Sequence, residues 1–552
     1  MDRTTAQLLV KCLENEGVKL IFGLPGEENM EVLQALVGSS IRFITTRHEQ
    51  GAAFMADVYG RLTGKAGVCL STLGPGATNL ITGVADANLD CAPLIAITGQ
   101  VGTDRMHIES HQYLDLVAMF APVTKWNAQI VRPSITPEIV RKAFKIAENE
   151  KPGAVHIDLP ENIAAMVADG EPLDSHSNEK IYASFHSFSE AANFIAKAHN
   201  PIILAGNGVI RSHGSEALTE FATRLNIPVA NTFMGKGVIP YTHPLSLWTV
   251  GLQQRDIITS AFECADLVIA VGYDLIEYSP KKWNPGSQIP IVHISESRAE
   301  VDSSYIPKVE VVGNIADSLS EIMHRADRRG LPAPCGVSLR PKIVADYQQY
   351  AEDQGYPLKP QKVIYDLRQV MRPDDIVIAD VGAHKMWVAR HYHCDRPNTC
   401  LISNGFAAMG IAIPGAVAAK LIYPERNVVA VTGDGGFMMN MQELETAVRV
   451  GANFTVLIFN DGGYGLIEWK QEIHYGTSHF IKFGNPDFVK LAESMGLKGY
   501  RLTAAAQLIP VLKEAITQPM PTIIDCPVDY RENLSFSQMF NSQMLERSSS
   551  KL

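Results

Sequence analysis

Short runs of β-branched and other apolar residues alternate with helical patterns along the whole chain, and this alternation limits the fold more than any other feature. Strands are predicted at Leu20–Phe22, Ile41–Thr45, Gly67–Ser71, Leu94–Thr98, Ile202–Ala205, Leu267–Val271, Ile291–Ile294, Ile376–Ala379, Val428–Val431 and Thr455–Phe459. Strands that alternate with helices in this way form parallel sheets with helices on both faces. The sequence therefore predicts an α/β protein built from doubly wound parallel sheets.

Two polar stretches divide this pattern into three parts. Ala168–Lys180 is rich in Asp, Glu, Ser and His, and Gly330–Lys342 contains three prolines. Such stretches are typical of linkers between domains. The 552 residues are thus predicted to form an N-terminal domain (residues 1–170), a central domain (185–330), a C-terminal domain (355–535) and a tail (536–552).

The charge balance argues against binding to nucleic acid or to a membrane surface. Lys and Arg total 48 against 59 Asp and Glu, a net charge of −11, so the chain has no general attraction for phosphate backbones or anionic lipids. The uncharged run Asn404–Ala419 is interrupted by Pro414 and is too short to cross a bilayer. We therefore expect no nucleic-acid partner and no membrane-spanning helix.

Both ends of the chain and the cysteines bear on where the protein acts. Thr4 and Gln7 have the spacing of a capping box, which predicts a helix at the N-terminus rather than a signal peptide. The eight cysteines are scattered without a Cys-x-x-Cys pair, which predicts buried thiols in a reducing compartment. We expect a cytoplasmic protein, and the final Ser550-Lys551-Leu552 leaves peroxisomal import open if the source is eukaryotic.

Two aspartates follow neighbouring predicted strands in the C-terminal domain. Asp434 lies in Gly433–Gly436 at the end of one strand, and Asp461 follows the next strand 27 positions later. The carboxyl ends of parallel strands are where α/β proteins bind ligands. Two carboxylates and a backbone carbonyl, that of Gly463, suit Mg²⁺ beside a diphosphate. A pair of ordinary strand-end turns is the alternative interpretation.

Two glutamates are expected at the starts of helices. Glu49 follows the predicted strand Ile41–Thr45 and precedes a small-residue helix, Gly51–Tyr59, so its carboxyl group is expected at the sheet edge. Burial there would raise its pKa and fit it for proton sharing, whereas a surface Glu stabilised by the helix dipole is the alternative. Asn440 and Glu443 are spaced as a capping pair for the helix after Asp434.

These motifs resemble those of thiamine diphosphate-dependent enzymes over nearly the whole chain, and among them the acetolactate synthases. Besides Asp434 and Asp461, the resemblance rests on Arg47–Ala53, Gly60–Lys65, Gly74–Asn79 and Val381–Trp387. Features more similar to the catabolic, flavin-free branch are Asp461, His111-Gln112 and Val117–Lys125. The chain is more similar still to acetolactate synthase-like 2-oxoglutarate decarboxylases of cyanobacteria. The resemblance implies a pyrimidine-binding, a central Rossmann-like and a diphosphate-binding domain.

The resemblance also implies a set of site residues. Glu49 would hydrogen-bond the cofactor's aminopyrimidine and favour the tautomer that removes the thiazolium C2 proton, with Gln112 as a second catalytic residue. The pyrimidine side would comprise Glu49 together with Pro25, Thr72, Gly74, Asn79 and Gln112, and turn chemistry is the alternative interpretation of each of these five. The diphosphate side would comprise Gly382, Ala383, His384, Gly405, Met409, Gly433, Asp434, Gly435, Gly436, Asp461, Gly463, Tyr464 and Gly465. Mg²⁺ would be held by Asp434, Asp461 and Gly463.

Two of these positions, Ala383 and Met409, can be compared with the family's pattern. Ala383 stands where anabolic synthases commonly have Gln, which removes one expected hydrogen bond to the cofactor. Met409 matches the bulky residue that bends the cofactor into a V shape, and an ordinary core methionine is its alternative interpretation.

No flavin is expected. The central domain opens with the Rossmann-like Pro201–Gly208, but a single glycine turn is a weak signal for a nucleotide. Where flavin-containing synthases carry an arginine-rich loop, this chain has Gly272–Tyr278. His391–Cys394 lacks distant partner ligands and is interpreted as a helix-end cluster rather than a metal site.

The implied reaction is the thiamine diphosphate- and Mg²⁺-dependent decarboxylation of a 2-oxo acid. We expect 2-oxoglutarate as the substrate, giving succinic semialdehyde and CO₂, because the resemblance to the cyanobacterial enzymes implies it and because cations near the site would pair with its distal carboxylate. A solvated helix face is the alternative interpretation of these cations. Candidate substrate contacts are Arg105, His107, His111, Leu466, Lys470 and His474. The alternative is an acetolactate synthase that condenses two pyruvates to 2-acetolactate and CO₂.

A non-catalytic regulatory homologue is a third possibility, against which the intact Glu49, Asp434 and Asp461 argue. In relatives the N-terminal domain of one subunit faces the C-terminal domain of another. The resemblance therefore implies a homodimer or homotetramer with active sites at the subunit interface.

Overall fold

The structure is a computed structural model that describes residues 3–175, 180–251 and 257–533. It contains three six-stranded sheets, one in each third of the chain, whose paired strands run parallel. The predicted α/β class with doubly wound parallel sheets is confirmed. No helix in the described ranges is long and apolar enough to cross a membrane. The tail 536–552, with Ser550-Lys551-Leu552, lies outside the described residues.

The N-terminal domain begins with a helix that is capped as the sequence predicts, because Thr4 and Gln7 form both hydrogen bonds of the capping box. Its strands are β1 (Leu20–Gly23), β2 (Arg42–Thr45), β3 (Gly67–Ser71), β4 (Leu94–Gln100), β5 (Trp126–Gln129) and β6 (Ala154–Pro160). Its helices are α1 (Thr5–Asn15), α2 (Met30–Leu36), α3 (Glu49–Thr63), α4 (Pro75–Leu89), α5 (Leu116–Phe120), α6 (Thr136–Glu148) and α7 (Glu161–Ala165). The strand order is β2-β1-β3-β4-β6-β5, which reverses between β1 and β3 and opens a crevice at their carboxyl ends.

The central domain has the strand order of a dinucleotide-binding fold. Its strands are β7 (Pro201–Ala205), β8 (Val229–Asn231), β9 (Ser246–Thr249), β10 (Leu267–Val271), β11 (Ile291–Ser295) and β12 (Val309–Val312). Its helices are α8 (Phe185–Lys197), α9 (Gly208–Arg211), α10 (Ser215–Leu225), α11 (Thr259–Glu263) and α12 (Ile315–Arg325). The order β12-β11-β10-β7-β8-β9 is the Rossmann order read from its far edge, so the Rossmann-like prediction is confirmed.

The C-terminal sheet repeats the topology of the N-terminal sheet, with the order β14-β13-β15-β16-β18-β17. These strands are β13 (Ile376–Ala379), β14 (Cys400–Ile402), β15 (Val428–Gly433), β16 (Thr455–Asn460), β17 (Lys498–Arg501) and β18 (Thr522–Pro527). The helices are α13 (Arg340–Gln348), α14 (Pro360–Val370), α15 (Ala383–His391), α16 (Ala412–Ile422), α17 (Asp434–Asn440), α18 (Glu443–Val450), α19 (Gly465–Tyr475), α20 (Phe488–Ser494) and α21 (Leu508–Ala515). The order reverses between β13 and β15, where the second crevice opens.

The second predicted linker and the cysteines differ from expectation. Within 330–342, Cys335–Leu339 form a 3-10 helix that leads into α13, and Cys335 is joined to Cys264 at the end of α11 by a disulfide. The expectation that every cysteine is a buried thiol is wrong for this pair. The two cysteines are 71 positions apart, so no local spacing signals the bond, which follows only from how the linker packs on the central domain.

The N-terminal and C-terminal domains share one hydrophobic core, in which α3 packs against α16. The contact is close because small residues face each other: a Cβ added to Gly415 of α16 would lie 2.9 Å from Val58 Cγ2 of α3. Since α3 begins at Glu49, this packing fixes the helix that carries Glu49 onto the C-terminal domain of the same chain.

Candidate active site

The two predicted aspartates lie together at the carboxyl edge of the C-terminal sheet. Asp434 directly follows β15, and Asp461 directly follows β16, the neighbouring strand. They line a cavity of about 110 Å³. Its lining residues are Val381, Gly382, Ala383, His384, Met409, Gly433, Asp434, Gly435, Gly436, Asp461, Gly463, Tyr464, Gly465, Leu466, Ile467 and Tyr530. Every predicted diphosphate-side residue except Gly405 is among them.

The carboxylate of Asp434 is buried and held in place by three donors. The backbone N–H of Gly435 donates to Oδ1 at 2.8 Å, and the N–H of Gly462 donates to Oδ2 at 2.7 Å. Asn485 Nδ2, which sequence reasoning did not identify, also donates to Oδ2 at 2.7 Å, and to Asn460 at the end of β16 at 3.1 Å. This arrangement fixes the direction of one carboxylate toward the cavity edge.

Asp461 supplies a second carboxylate close to that of Asp434. Burial, and next the charge of Asp434, raise the pKa of Asp461 to about 7. Two neighbouring carboxylates that disfavour each other's charge are stabilised by a divalent cation. No group of three or more His, Cys, Asp or Glu suitable for a metal occurs in the described part of the chain. A cation here would therefore take further oxygen ligands from the backbone and from a diphosphate, as Mg²⁺ does.

Glycines around the cavity leave room that a side chain would fill. A Cβ added to Gly435 would lie 2.9 Å from Tyr464 Cε1, and one added to Gly465 would lie 2.6 Å from Asp461 Oδ2. At Gly436 the added atom would lie 3.0 Å from the carboxylate of Asp380. A side chain at any of these positions would have to displace its neighbour, and glycine leaves the backbone itself free to approach a ligand.

His384 offers a buried polar atom without a partner. Its side chain is 2% exposed, and its Nε2 has no hydrogen-bond partner in the structure. Burial lowers the pKa of His384 to about 3, so the ring is neutral. Because a buried polar atom is costly unless hydrogen-bonded, this nitrogen is fitted to a ligand in the cavity. The glycine cradle, the carboxylate pair and this imidazole together suit thiamine diphosphate with Mg²⁺.

Met409 and Gly405 lie on the same segment but contact different parts of the structure. Met409 lines the cavity, whereas the N–H of Gly405 donates to Asp90 of the N-terminal domain. Asp380, another residue that the sequence did not reveal, accepts from the N–H of Gly410 at 2.8 Å and of Ala412 at 3.2 Å. Burial raises the pKa of Asp380 to about 6. These carboxylates fix the backbone on both sides of Met409.

The pyrimidine-side residues gather at the carboxyl edge of the N-terminal sheet. Glu49 is 8% exposed, and its Oε2 accepts a hydrogen bond from Asn79 Nδ2 at 3.0 Å. Thr72 donates to Glu28, an unpredicted neighbour, at 2.5 Å. Gly74 has φ of 51°, and an added Cβ would lie 2.7 Å from the carbonyl oxygen of Gln112. Pro25, which follows β1 in the same crevice, is exposed.

The two halves do not share a cavity within one chain. None of the described residues that line the cavity beside Asp434 belongs to the N-terminal domain. Glu49 and Asp434 thus lie at the crevices of two different sheets.

The predicted substrate contacts are mostly outside the cavity. Leu466 lines it, but the other five residues are exposed and do not: Arg105, His107, His111, Lys470 and His474. Three lining residues that the sequence did not identify are Val381, Ile467 and Tyr530. Val381 begins the motif Val381–Trp387 but was not itself predicted as a site residue, whereas Ile467 and Tyr530 carry no motif and only the fold places them here.

The predicted capping pair at Asn440 and Glu443 is wrong. Gln442 is the N-cap of α18 and makes no side-chain cap hydrogen bond. The Glu443 carboxylate accepts instead from the N–H groups of Arg47 and His48, because α18 packs against the start of α3 in the N-terminal domain.

The backbone N–H groups in the glycine turn of the central domain are hydrogen-bonded to other residues of the chain. The N–H of Gly208 donates to the carbonyl of Gly272 at 2.8 Å, and the N–H of Asn207 donates to both oxygens of Glu277 at 3.0 and 3.1 Å. The Glu277 carboxylate thus accepts from the N–H of Asn207, a backbone donor of the kind that binds a nucleotide phosphate in dinucleotide-binding folds.

Comparisons with known proteins agree with this geometry. The chain matches three sequence profiles described as thiamine pyrophosphate enzyme: the N-terminal TPP binding domain over residues 3–119, the central domain over 188–322 and the C-terminal TPP binding domain over 380–526. The chain belongs to the thiamine pyrophosphate enzyme family, and the predicted membership is confirmed.

Individual relatives narrow the class. The chain is 34% identical to an acetolactate synthase of Bacillus subtilis, over 96% of this chain and 94% of the relative. It is 36% identical to a catabolic acetolactate synthase of Raoultella terrigena, over 98% of each. It is 36% identical to a probable acetolactate synthase large subunit of Methanocaldococcus jannaschii, over 96% and 92%. The chain is therefore an acetolactate synthase-like, thiamine diphosphate-dependent enzyme of the decarboxylase or carboligase type.

Proposed function

We propose that the protein is an acetolactate synthase, which joins two pyruvates into 2-acetolactate with release of CO₂. The observation that carries the proposal is the wall of the cavity beside Asp434. Its side chains are apolar at Met409, Leu466 and Ile467, and the described lining includes no Lys or Arg. Such a wall suits the methyl group of pyruvate, and this half of the site offers no cation to a distal carboxylate. The names of the relatives support the same donor and give no support to the 2-oxoglutarate preference expected from sequence.

The residues of the chain would divide the work as follows. Asp434, Asp461 and the carbonyl of Gly463 would hold Mg²⁺, and the glycine cradle would admit the diphosphate. Bound thiamine diphosphate supplies a carbanion and an electron sink for decarboxylation. Glu49 would hold a proton at the aminopyrimidine, and Gln112, whose backbone lies against Gly74, would be the second catalytic residue.

The complete site requires a second copy of the chain. Because the Glu49 crevice and the Asp434 cavity are separate within one chain, we propose a homodimer or homotetramer in which a two-fold axis brings one chain's Glu49 to the other's Asp434.

We further propose that the enzyme works without flavin. Glu277 supports this, because its carboxylate holds the N–H of Asn207 at the turn after β7. A purified sample without flavin absorbance is expected, and stoichiometric flavin would contradict the proposal.

A second candidate function is decarboxylation of 2-oxoglutarate, which one observation favours. Lys470 lies one turn after Leu466 on α19, is exposed, and makes no ion pair within the described ranges. If it binds a distal carboxylate, Lys470→Met should lower the 2-oxoglutarate specificity constant by about tenfold to hundredfold, the range for a charge-assisted hydrogen bond. Pyruvate turnover should then stay unchanged.

Product identification tests the proposal. Purified protein with thiamine diphosphate and Mg²⁺ is incubated separately with pyruvate and with 2-oxoglutarate, and the products are identified by NMR. We expect 2-acetolactate from pyruvate. Succinic semialdehyde from 2-oxoglutarate, with no acetolactate from pyruvate, would replace the first function by the second.

A further inference from the structure

The segment that joins β2 to α3 is hydrogen-bonded to a helix of another domain. This turn, residues 45–51, includes Glu49, the first residue of α3. The helix is α18, which belongs to the C-terminal domain of the same chain.

Glu443 makes the closest contact between the two elements. It is fully buried, and its Oε1 accepts from the N–H of Arg47 and from the N–H of His48, both at 3.0 Å. Thr446, one turn along α18, donates to Oε2 at 2.7 Å and orients the carboxylate. A Cβ added to Gly51 would lie 2.6 Å from Glu443 Oε1, so only glycine allows α3 to approach this closely.

The same helix holds the other end of the turn through a cation. Arg449 Nη2, in the last turn of α18, donates to the carbonyl oxygen of Thr45 at 2.6 Å. The donors of the turn thus face a carboxylate and its acceptor faces a guanidinium. A carboxylate at the N-terminus of a helix as long as α3 is also favoured by the helix dipole.

Asn440 extends this contact toward the cofactor cavity. Its Nδ2 donates to the carbonyl oxygen of Gly410, next to Met409, at 2.9 Å and lies 3.4 Å from Gln50 Oε1. Asn440 ends α17, which begins at Asp434. One short stretch of the C-terminal domain therefore touches the backbone beside Met409 and the residues on both sides of Glu49.

We propose that Glu443 is a positioning residue that sets the place of Glu49 through the backbone N–H groups of Arg47 and His48. The inference rests on the proposed function, in which Glu49 activates the cofactor. It also means that α17 and α18 join the two half-sites that one chain contributes to two different active sites.

Exchange of the cofactor's C2 proton tests the proposal in the holoenzyme. Glu443→Ala leaves the two N–H groups without their acceptor, and the exchange rate should fall by about tenfold to hundredfold, the range for hydrogen bonds to a charged group. Glu443→Gln keeps an oxygen within reach of both N–H groups and should recover most of the loss. Glu443→Asp keeps the charge but not the reach, and should slow exchange by about twofold to tenfold if the Ala variant does not fold.

A double-mutant cycle separates positioning from general damage. If Glu443 acts through Glu49, Glu443→Ala or Glu443→Asp should not slow exchange further in a Glu49→Gln background. Cofactor and Mg²⁺ affinity, measured by calorimetry, should change far less than exchange. The control is Glu493→Gln, an exposed glutamate of α20 that takes no part in this contact, which should exchange as wild type does.

The outcomes separate the two claims. Wild-type exchange in Glu443→Asp and Glu443→Ala, or a loss that adds fully to that of Glu49→Gln, would overturn the positioning role and leave Glu49 in place. Wild-type exchange in Glu49→Gln itself would overturn both the role of Glu49 and the positioning proposal.

Discussion

At the scale of single residues, the site depends on carboxylates whose burial sets their behaviour. One carboxylate oxygen of Glu49 accepts a hydrogen bond from Asn79. Hydrogen-bond donors surround the carboxylate of Asp434. Burial and the charge of Asp434 raise the pKa of Asp461. In the proposed function, the first of these groups carries a proton and the other two share a cation. The two roles can be separated by substitution.

Glu49→Gln should slow exchange of the cofactor's C2 proton by about a hundredfold or more, the usual contribution of a positioned acid–base group. The amide keeps the size of the side chain but cannot supply the proton that the aminopyrimidine needs. NMR of acid-quenched holoenzyme in D₂O measures the rate. Exchange as fast as in the wild type would remove Glu49 from the mechanism.

Asp461→Ala should weaken Mg²⁺ and thiamine diphosphate binding together, because one cation would bridge the protein and the diphosphate. Titration calorimetry of each ligand, with the other at saturation, measures both affinities. Glu445→Gln serves as a control of equal charge change on the surface. Unchanged affinities in Asp461→Ala would refute the metal assignment.

At the scale of elements, most of the strands that the sequence predicted are continuous apolar runs. β3, β10 and β13 have the predicted limits. β17 (Lys498–Arg501) was missed because an edge strand leaves polar side chains in solvent, and β6 was missed because His156 and Asp158 interrupt its apolar pattern. Buried polar residues of this kind are paired only through tertiary contacts.

The candidate site likewise contains residues that the sequence predicted and residues that it did not. Residues beside strand ends, such as Asp434 and Glu49, were predicted because motif and strand coincide in sequence. Asp380, Glu443 and Asn485 were not, since their partners come from distant segments; Glu443 and Arg47 are 396 positions apart. A capping pattern at Glu443 was read locally, whereas packing between domains determines its contacts.

A buried ion cluster between α3 and α4 gives the fold a pH dependence. Arg61 pairs with Asp57, Asp86 and Asp90, and burial, followed by the charge of Asp57, raises the pKa of Asp86 to about 7. A pKa raised on folding means that Asp86 contributes stability that is present below its unfolded pKa, about 3.9, and is lost as the pH rises through about 7.

Asp86→Asn, which is neutral at every pH, should therefore flatten the fall in melting temperature between about pH 4 and about pH 7. Thermal unfolding followed by circular dichroism, at matched ionic strength, measures the slope for wild type and variant. A variant that keeps the full wild-type slope would show that Asp86 does not titrate in this range.

At the scale of the whole molecule, the chain carries two crevices that do not meet within it. The N-terminal and C-terminal sheets share one topology, each opens a crevice at its carboxyl edge, and α3 and α18 fix the two crevices relative to each other. Two chains related by a two-fold axis would form two equivalent sites, each with one Glu49 and one Asp434.

Complementation between two inactive variants tests this account most directly. Glu49→Gln and Asp434→Ala are each purified, mixed under conditions that exchange subunits, and assayed for pyruvate consumption with thiamine diphosphate and Mg²⁺. Half of the dimers are then mixed, and one of their two sites has both residues intact, so activity should return to about a quarter of the wild-type value. Mixed dimers verified by mass spectrometry but no more active than either variant would contradict a site shared between two chains.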